Sequence, residues 1–466
     1  MATPVRVEHD LLGERDVPSE VYWGIHTLRA LENFPISGTP ISHYPQLINA
    51  LVAVKQAAAR ANCELGILDP SIAKAIEQAC EEIRGGALHD SFCVDAIQGG
   101  AGTSTNMNCN EVIANRGLEI LGFEKGDYAQ LHPLDHVNLS QSTNDAYPTA
   151  LCVAVYDALG DLLDAMSHLQ RSLEAKATEF ASVLKMGRTQ LQDAVPMTLG
   201  QEFKAFAVML GEDIDRLHEA RALILEVNLG GTAIGTGINT NHRYSPLAIS
   251  YLAEITGGDF IPAENLIEAT QDVGAFVQIS GVLKRVAVKL SKTANDLRLL
   301  SSGPRAGFGE INLPARQAGS SIMPGKVNPV IPEVVNQVAF EVIGNDVTIT
   351  MAAEGGQLQL NAFEPIIAYS LFRSIGHLTQ ACGTLRERCI DGITANEDHL
   401  ANLVKNSIGL VTALSPTIGY EKATKVAQIA LSEQRSVVDV VLELGLLSQE
   451  ELDELLDPVR LTHPED

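Results

Sequence analysis

The chain has 466 residues, more than one ordinary domain holds, with 45% hydrophobic and only 5% aromatic residues; Ala, Leu, Val and Ile dominate, which suits close helix packing and predicts a mainly α protein. A formal net charge of −25 repels polyanions, and no run of Lys or Arg offers a stripe for a phosphate backbone, which excludes nucleic acid as a partner class. No stretch approaches the roughly 20 apolar residues of a bilayer crossing, and the polar start from Met1 to Asp10 has no apolar signal core, so a cytoplasmic protein with no membrane partner is expected.

Residues 1–40 mix charge, Pro and Gly and predict an irregular arm. From Tyr44 onward Leu47, Ala50, Leu51, Val54, Ala57 and Ala58 recur at three- and four-residue spacing, the stripe of an amphipathic helix, and a second such helix is predicted over 71–84. No proline falls between Pro148 and Pro196, and Leu159, Leu162, Leu163, Met166, Leu169 and Leu173 predict a long bundle helix over 151–180. Residues 264–300 are also free of proline and predict a rod on the order of 50 Å long. Rods of that length build elongated bundles that pack against copies of themselves, so a homo-oligomer with a helical core is expected. Beyond Ala395 the pattern shortens into segments with start signals such as Ser448-Gln-Glu-Glu451, the mark of a small C-terminal domain. Seven cysteines, odd in number, scattered and never spaced C-x-x-C, argue against both a disulfide framework and a zinc site.

Four polar, glycine-bearing segments interrupt the helical text, at 99–110, 138–145, 187–193 and 319–329. Each is rich in hydroxyl and amide side chains, which offer short hydrogen bonds to anionic oxygen. Each could instead be an ordinary capping turn, since Ser, Thr and Asn are preferred helix N-caps. The last resists that reading, because it packs two Pro, two Gly and one Lys into a single loop, a frequent setting for catalysis.

That loop, Gly319-Ser-Ser-Ile-Met-Pro-Gly-Lys-Val-Asn-Pro329, resembles the signature loop of the fumarase and aspartase superfamily, whose members cleave C–N or C–O bonds to release fumarate. Gly102-Thr-Ser-Thr-Asn-Met-Asn108, Ser142-Thr-Asn-Asp145 and Gly187-Arg-Thr-Gln-Leu-Gln-Asp-Ala-Val-Pro196 resemble its other shared blocks, in the same order. Tyr22-Trp-Gly-Ile-His-Thr-Leu-Arg-Ala30, the stretch from Met351 to Asn361, and Glu364-Pro365 are similar to the aspartase branch. Fumarases place a histidine at the position of Gln190, an amide that orients or binds but cannot exchange a proton near neutral pH.

The resemblance implies a three-domain, mainly α fold. Residues 1–142 would form a mostly helical N-terminal domain, 143–396 a central long-helix bundle carrying a catalytic loop at 317–330, and 397–466 a small helical C-terminal domain. It implies reversible elimination of ammonia from L-aspartate to give fumarate, in a homotetramer whose active sites are shared between subunits. Thr103, Ser142, Thr143 and Ser321 would surround the β-carboxylate; Lys326, Asn328 and Thr189 would hold the α-carboxylate; Asn144 and Gln190 would sit by the amino group. Ser320 would be the general base, acting through an enediolate-type carbanion, with Lys326 favouring its alkoxide. No organic cofactor or metal is implied, although a divalent cation such as Mg2+ activates some family members. The alternatives are a class II fumarase acting on malate and a non-catalytic relative.

Three other features carry less. Gly230-Gly-Thr-Ala-Ile-Gly-Thr-Gly237 lacks the Lys-Ser/Thr ending of a nucleotide loop and predicts a turn beside the bundle. His132, Asp135 and His136 have metal-like spacing, but Pro133 disrupts a helical ligand face. Ser320 lies in no G-x-S-x-G elbow, which argues against a serine hydrolase. Glu333, just after the loop, is either a helix-start carboxylate or a support for the site.

Overall fold

The computed structural model describes residues 4–463, so the outermost ends of the expected first and third domains, 1–3 and 464–466, lie outside the described residues. Helix accounts for 62% of the chain and strand for 8%, which makes the fold mainly α. The described residues divide into two compact units. One holds the chain up to Leu163 with Asp215–Ala287 and Phe340–Thr379; the other holds Asp164–Ile214, Val288–Ala339 and the chain from Gln380.

The first unit opens with a hairpin, β1 (Val5–Asp10) and β2 (Gly13–Pro18), where an irregular arm is expected. On β1 the burial pattern is inverted, whereas on β2 Val17 is buried. Val5 and Val7 are exposed, whereas Glu8 is buried and ion-paired at 2.7 Å to Arg6. Asp10 likewise takes Arg29 of α1 (Ile25–Asn33) at 2.7 Å. Because the inward face is held by charges, no alternation of apolar residues announces these strands. Behind them α2 (Pro45–Glu64) and α3 (Pro70–Arg84) form where the periodicity predicts. Small Ala side chains at 50, 53, 57, 58 and 61 of α2 are buried and let its neighbours approach closely. One of those neighbours is α4 (Thr103–Ile120).

The long helix α5 (Thr143–Glu179) begins earlier than predicted and contains Pro148. Proline removes the N–H that would bond the carbonyl four residues back. That carbonyl, on Asn144, is instead taken at 3.0 Å by the side-chain amide of Asn228, so the helix runs through the proline without an orphaned acceptor. Next come β3 (Leu184–Thr189) and β4 (Gln192–Thr198), an antiparallel hairpin in the second unit, followed by α6 (Leu199–Ala222) and α7 (Tyr244–Thr256).

The rod expected over 264–300 is broken. A single turn, α8 (Glu268–Gln271), precedes α9 (Gly274–Leu300), because Asp272 is extended and its carboxylate accepts from the N–H of Gly274 at 3.0 Å. Helices α10 (Val330–Glu354) and α11 (Glu364–Arg388) complete the long set. Within the second unit, Asn336 of α10 donates to Ser291 Oγ at 2.8 Å and to Asn295 Oδ1 at 3.0 Å, pinning α10 to α9. From Glu397 to Thr462 the chain forms short helices around Leu414, Val426, Val437, Val441 and Leu452, with the expected capping box at Ser448 and Glu451.

The 230–237 loop is a turn, and Asp145 holds it. Its carboxylate accepts from Gly230 N and Thr232 N, and from Ser142 N at the start of α5, each at 2.9 Å. An amide here offers one oxygen to three N–H groups. Asp145→Asn is therefore expected to cost about 1–3 kcal/mol and lower the thermal midpoint by several degrees in a melting experiment; an unchanged midpoint would remove Asp145 as the joint.

Candidate functional site

Helix starts position the candidate residues of the first unit. Thr103 is the first residue of α4, and Gly102 before it has φ +88. A Cβ on Gly102 would stand 2.5 Å from the Tyr147 ring, so close packing as well as the left-handed backbone requires glycine there. Thr103 is exposed, and its hydroxyl donates back to Gly100 O at 2.7 Å. Ser142 precedes α5, where its Oγ accepts from Asn144 N at 3.2 Å. Thr143 opens α5, and its Oγ1 accepts from the Asn106 amide at 3.2 Å; Asn144 donates its amide to Ala233 O at 2.8 Å. Ser142, Thr143 and Asn144 are half-buried.

Beneath these residues lies a group that the sequence reading missed. Lys55 of α2 is fully buried and donates to Asn106 Oδ1 (2.6 Å), Asn138 Oδ1 (2.9 Å) and Gln141 Oε1 (2.8 Å). Burial pushes its pKa down to about 8, which still leaves it an ammonium at neutral pH. Burial also pushes Asp145 up to about 6, against the opposing pull of its three backbone donors. No local signal marks Lys55, since its partners lie 51, 83 and 86 residues downstream.

A cavity of about 460 Å³ in the same unit is lined by Pro148, Cys152, Asn228, Phe276, Gln278 and Glu364. Glu364 belongs to a recognised block, and burial pushes its carboxyl up to about 8. None of the candidate site residues lines this cavity.

In the second unit, Thr189 and Gln190 sit exposed at the tip of the β3–β4 hairpin. Gln190 and Leu191 both have positive φ (54 and 63), a two-residue turn built without glycine. The strained tip has a firm base: buried Glu310 pairs with Lys185 at 2.9 Å and with Arg188 at 2.5 Å, one residue before Thr189. On the signature loop, Gly319 N donates to Lys326 O and Asn328 Nδ2 donates to Gly319 O, both at 2.7 Å, so the loop closes on its own ends. Inside it, Ser320 Oγ accepts from the N–H groups of Ile322 (3.2 Å) and Met323 (3.0 Å). Ser321 and Lys326 are exposed. Glu333 lies in the first turn of α10, where a carboxylate meets the positive end of the helix dipole. His132 is used locally, its Nδ1 accepting from Leu134 N and Asp135 N at 3.1 and 3.2 Å.

This geometry supplies hydroxyl and amide donors at helix starts in one unit, and in the other a serine oxygen held by two N–H groups on a loop that also carries an exposed lysine. Comparison with known proteins identifies the scaffold. A family model described as "Lyase" matches residues 13–344, and one described as "Fumarase C C-terminus" matches 410–463. The aspartate ammonia-lyase of Pseudomonas fluorescens is 61% identical over 99% of this chain and 97% of its own. Among solved structures, the fumarate lyase:delta crystallin of Brucella melitensis superposes with a TM-score of 0.97 at 56% identity, covering 99% of this chain and all of that one. The class II fumarase of Schistosoma mansoni gives 0.95 at 36% identity, with 99% and 100% covered. A match of this length and identity shows that the chain belongs to the lyase family of the aspartate ammonia-lyases and fumarases.

Proposed function

We propose that the protein is a cytoplasmic aspartate ammonia-lyase that reversibly eliminates ammonia from L-aspartate to give fumarate, with no organic cofactor and no resident metal. The full-length identity of 61% to a named aspartate ammonia-lyase carries this reading, and Gln190 in place of the fumarase histidine supports it. Removing ammonia requires taking a proton from the carbon beside the β-carboxylate, which leaves extra negative charge on that carboxylate. Donors preorganised for that charge are usually the largest catalytic contribution. Thr103, Ser142, Thr143 and Ser321 take that part, Lys326, Asn328 and Thr189 bind the α-carboxylate, and Asn144 and Gln190 face the amino group.

Ser320 is the base. A serine hydroxyl is a poor one unless its alkoxide is stabilised, and the two N–H groups already aimed at Ser320 Oγ stabilise the charged form. Lys326, six residues on, adds positive charge. Ultraviolet detection of fumarate is expected with L-aspartate and not with L-malate; signal from malate alone would move the assignment to fumarase. Ser320→Ala is expected to lower kcat on the order of a thousandfold while fumarate still binds, and near-normal turnover would remove Ser320 as base. Added Mg2+ in the same assay tests divalent activation directly.

The working form is a homotetramer with sites shared between subunits. Support comes from α10, where Phe340, Val347 and Met351 share one face and are 63%, 57% and 69% exposed, an apolar stripe that water does not favour on a free helix. Phe340→Arg with Met351→Arg is expected to give monomers by light scattering and to abolish turnover. Fully active monomers would sink the shared-site reading.

A further inference from the structure

Lys55 has no part in the mechanism above, yet its side chain decides how the neighbouring amides are oriented. It stands among Leu51, Val52, Val54 and Ala58, all fully buried, where an apolar residue would pack at no desolvation cost. An ammonium has three hydrogens and no lone pair, so Asn106, Asn138 and Gln141 must each turn an oxygen towards it and an NH2 away. For Asn106, away means towards Asn138 Oδ1 (3.0 Å) and Thr143 Oγ1 (3.2 Å). The other amides lock the same polarity: Asn138 Nδ2 donates to Gln141 O at 3.2 Å, and Gln141 Nε2 donates to Val137 O at 3.0 Å.

We propose that Lys55 is a positioning residue that, through Asn106, fixes the Thr143 hydroxyl as a donor to the substrate carboxylate. The inference rests on the reading of Thr143 as a carboxylate ligand. A hydroxyl that accepts from Asn106 keeps its own hydrogen for an acceptor on its open side. Were the Asn106 amide reversed, its oxygen would take that hydrogen and Thr143 would present lone pairs to an anion. Lys55 forbids the reversal, because Asn106 would then point NH2 at an ammonium. One buried charge thus converts three ambiguous amides and one ambiguous hydroxyl into a directed chain of donors ending at the site.

Asn106→Asp tests the chain without disturbing its shape. The carboxylate still accepts from Lys55 but has no N–H, so its second oxygen captures the Thr143 hydrogen. In the assembled enzyme, kcat is expected to fall on the order of a hundredfold, the usual effect of losing one such donor, with a smaller change in KM. Thr143→Val should produce a comparable loss, Thr143→Ser should retain activity, and Asn106→Asp with Thr143→Val should be no worse than either alone. Losses that multiply in the double variant would overturn the proposal, since charge or misfolding at Asn106 would act independently of the hydroxyl. A Thr143→Val enzyme with normal kcat would instead remove Thr143 as a ligand. Lys55→Met, checked for fold by circular dichroism and for assembly by light scattering, is expected to match Asn106→Asp; normal kcat in the folded variant would overturn the proposal. Should that variant fail to fold, the Asn106 cycle decides alone.

Discussion

The candidate ligands of the first unit depend on one buried positive charge held by three side-chain amides. An ammonium inside an apolar helix face is tolerated only where all three of its hydrogens find oxygen. Lys55 draws those oxygens from α4 and from the 138–141 turn. The requirement fixes more than the lysine: it holds the turn before α5 against α2 and α4, so Ser142, Thr143 and Asn144 emerge from a support with little freedom to move. Asp145, anchored to three backbone N–H groups, secures the same turn from its other end.

A protein with a net charge of −25 must gather a dianion locally against its own field. Helix starts answer that need. Thr103 opens α4, Thr143 opens α5, and Asn328 lies two residues before α10, so these residues accompany the partly positive ends of their helices. Capping and anion recognition, which compete as explanations of the polar segments in sequence, are compatible at a helix start, where both use the same N–H groups. On the proposed reading, the side chains that start the helices also face the substrate, and the backbone N–H groups at those ends suit an anion.

Where one face of an element meets the core and the other meets water, the sequence is readable, as in α3, in the onset of short helices after Ala395, and in the capping box at Ser448. Elements governed by other forces are not. The β1–β2 hairpin buries Glu8 and exposes Val7, reversing the pattern on which strand recognition relies. The rod expected over 264–300 fails at Asp272, whose capping carboxylate acts over two residues and leaves no trace in hydrophobic spacing. Pro148 fits inside α5 only because Asn228, 84 residues away along the chain from Asn144, replaces the missing donor. The same reasoning applies to the site. The hydroxyl and amide residues cluster locally and are visible as segments, but the lysine that orients them belongs to a helix whose pattern announces only core.

Strain and self-closure mark the two candidate segments of the second unit. Gln190 is held at positive φ on a tip where glycine would be the easier choice, a backbone cost of about 1 kcal/mol or more. Glu310, buried beneath Lys185 and Arg188, keeps that tip from relaxing. The signature loop is tied at Gly319 and Asn328 but leaves Ser321 and Lys326 exposed. An exposed lysine on the same loop as a serine whose oxygen already accepts two N–H groups is poorly used facing water, where both would be screened. On the proposed reading, packing of copies of the chain against one another would supply the remaining enclosure, excluding water from the Ser320 loop and so favouring its alkoxide.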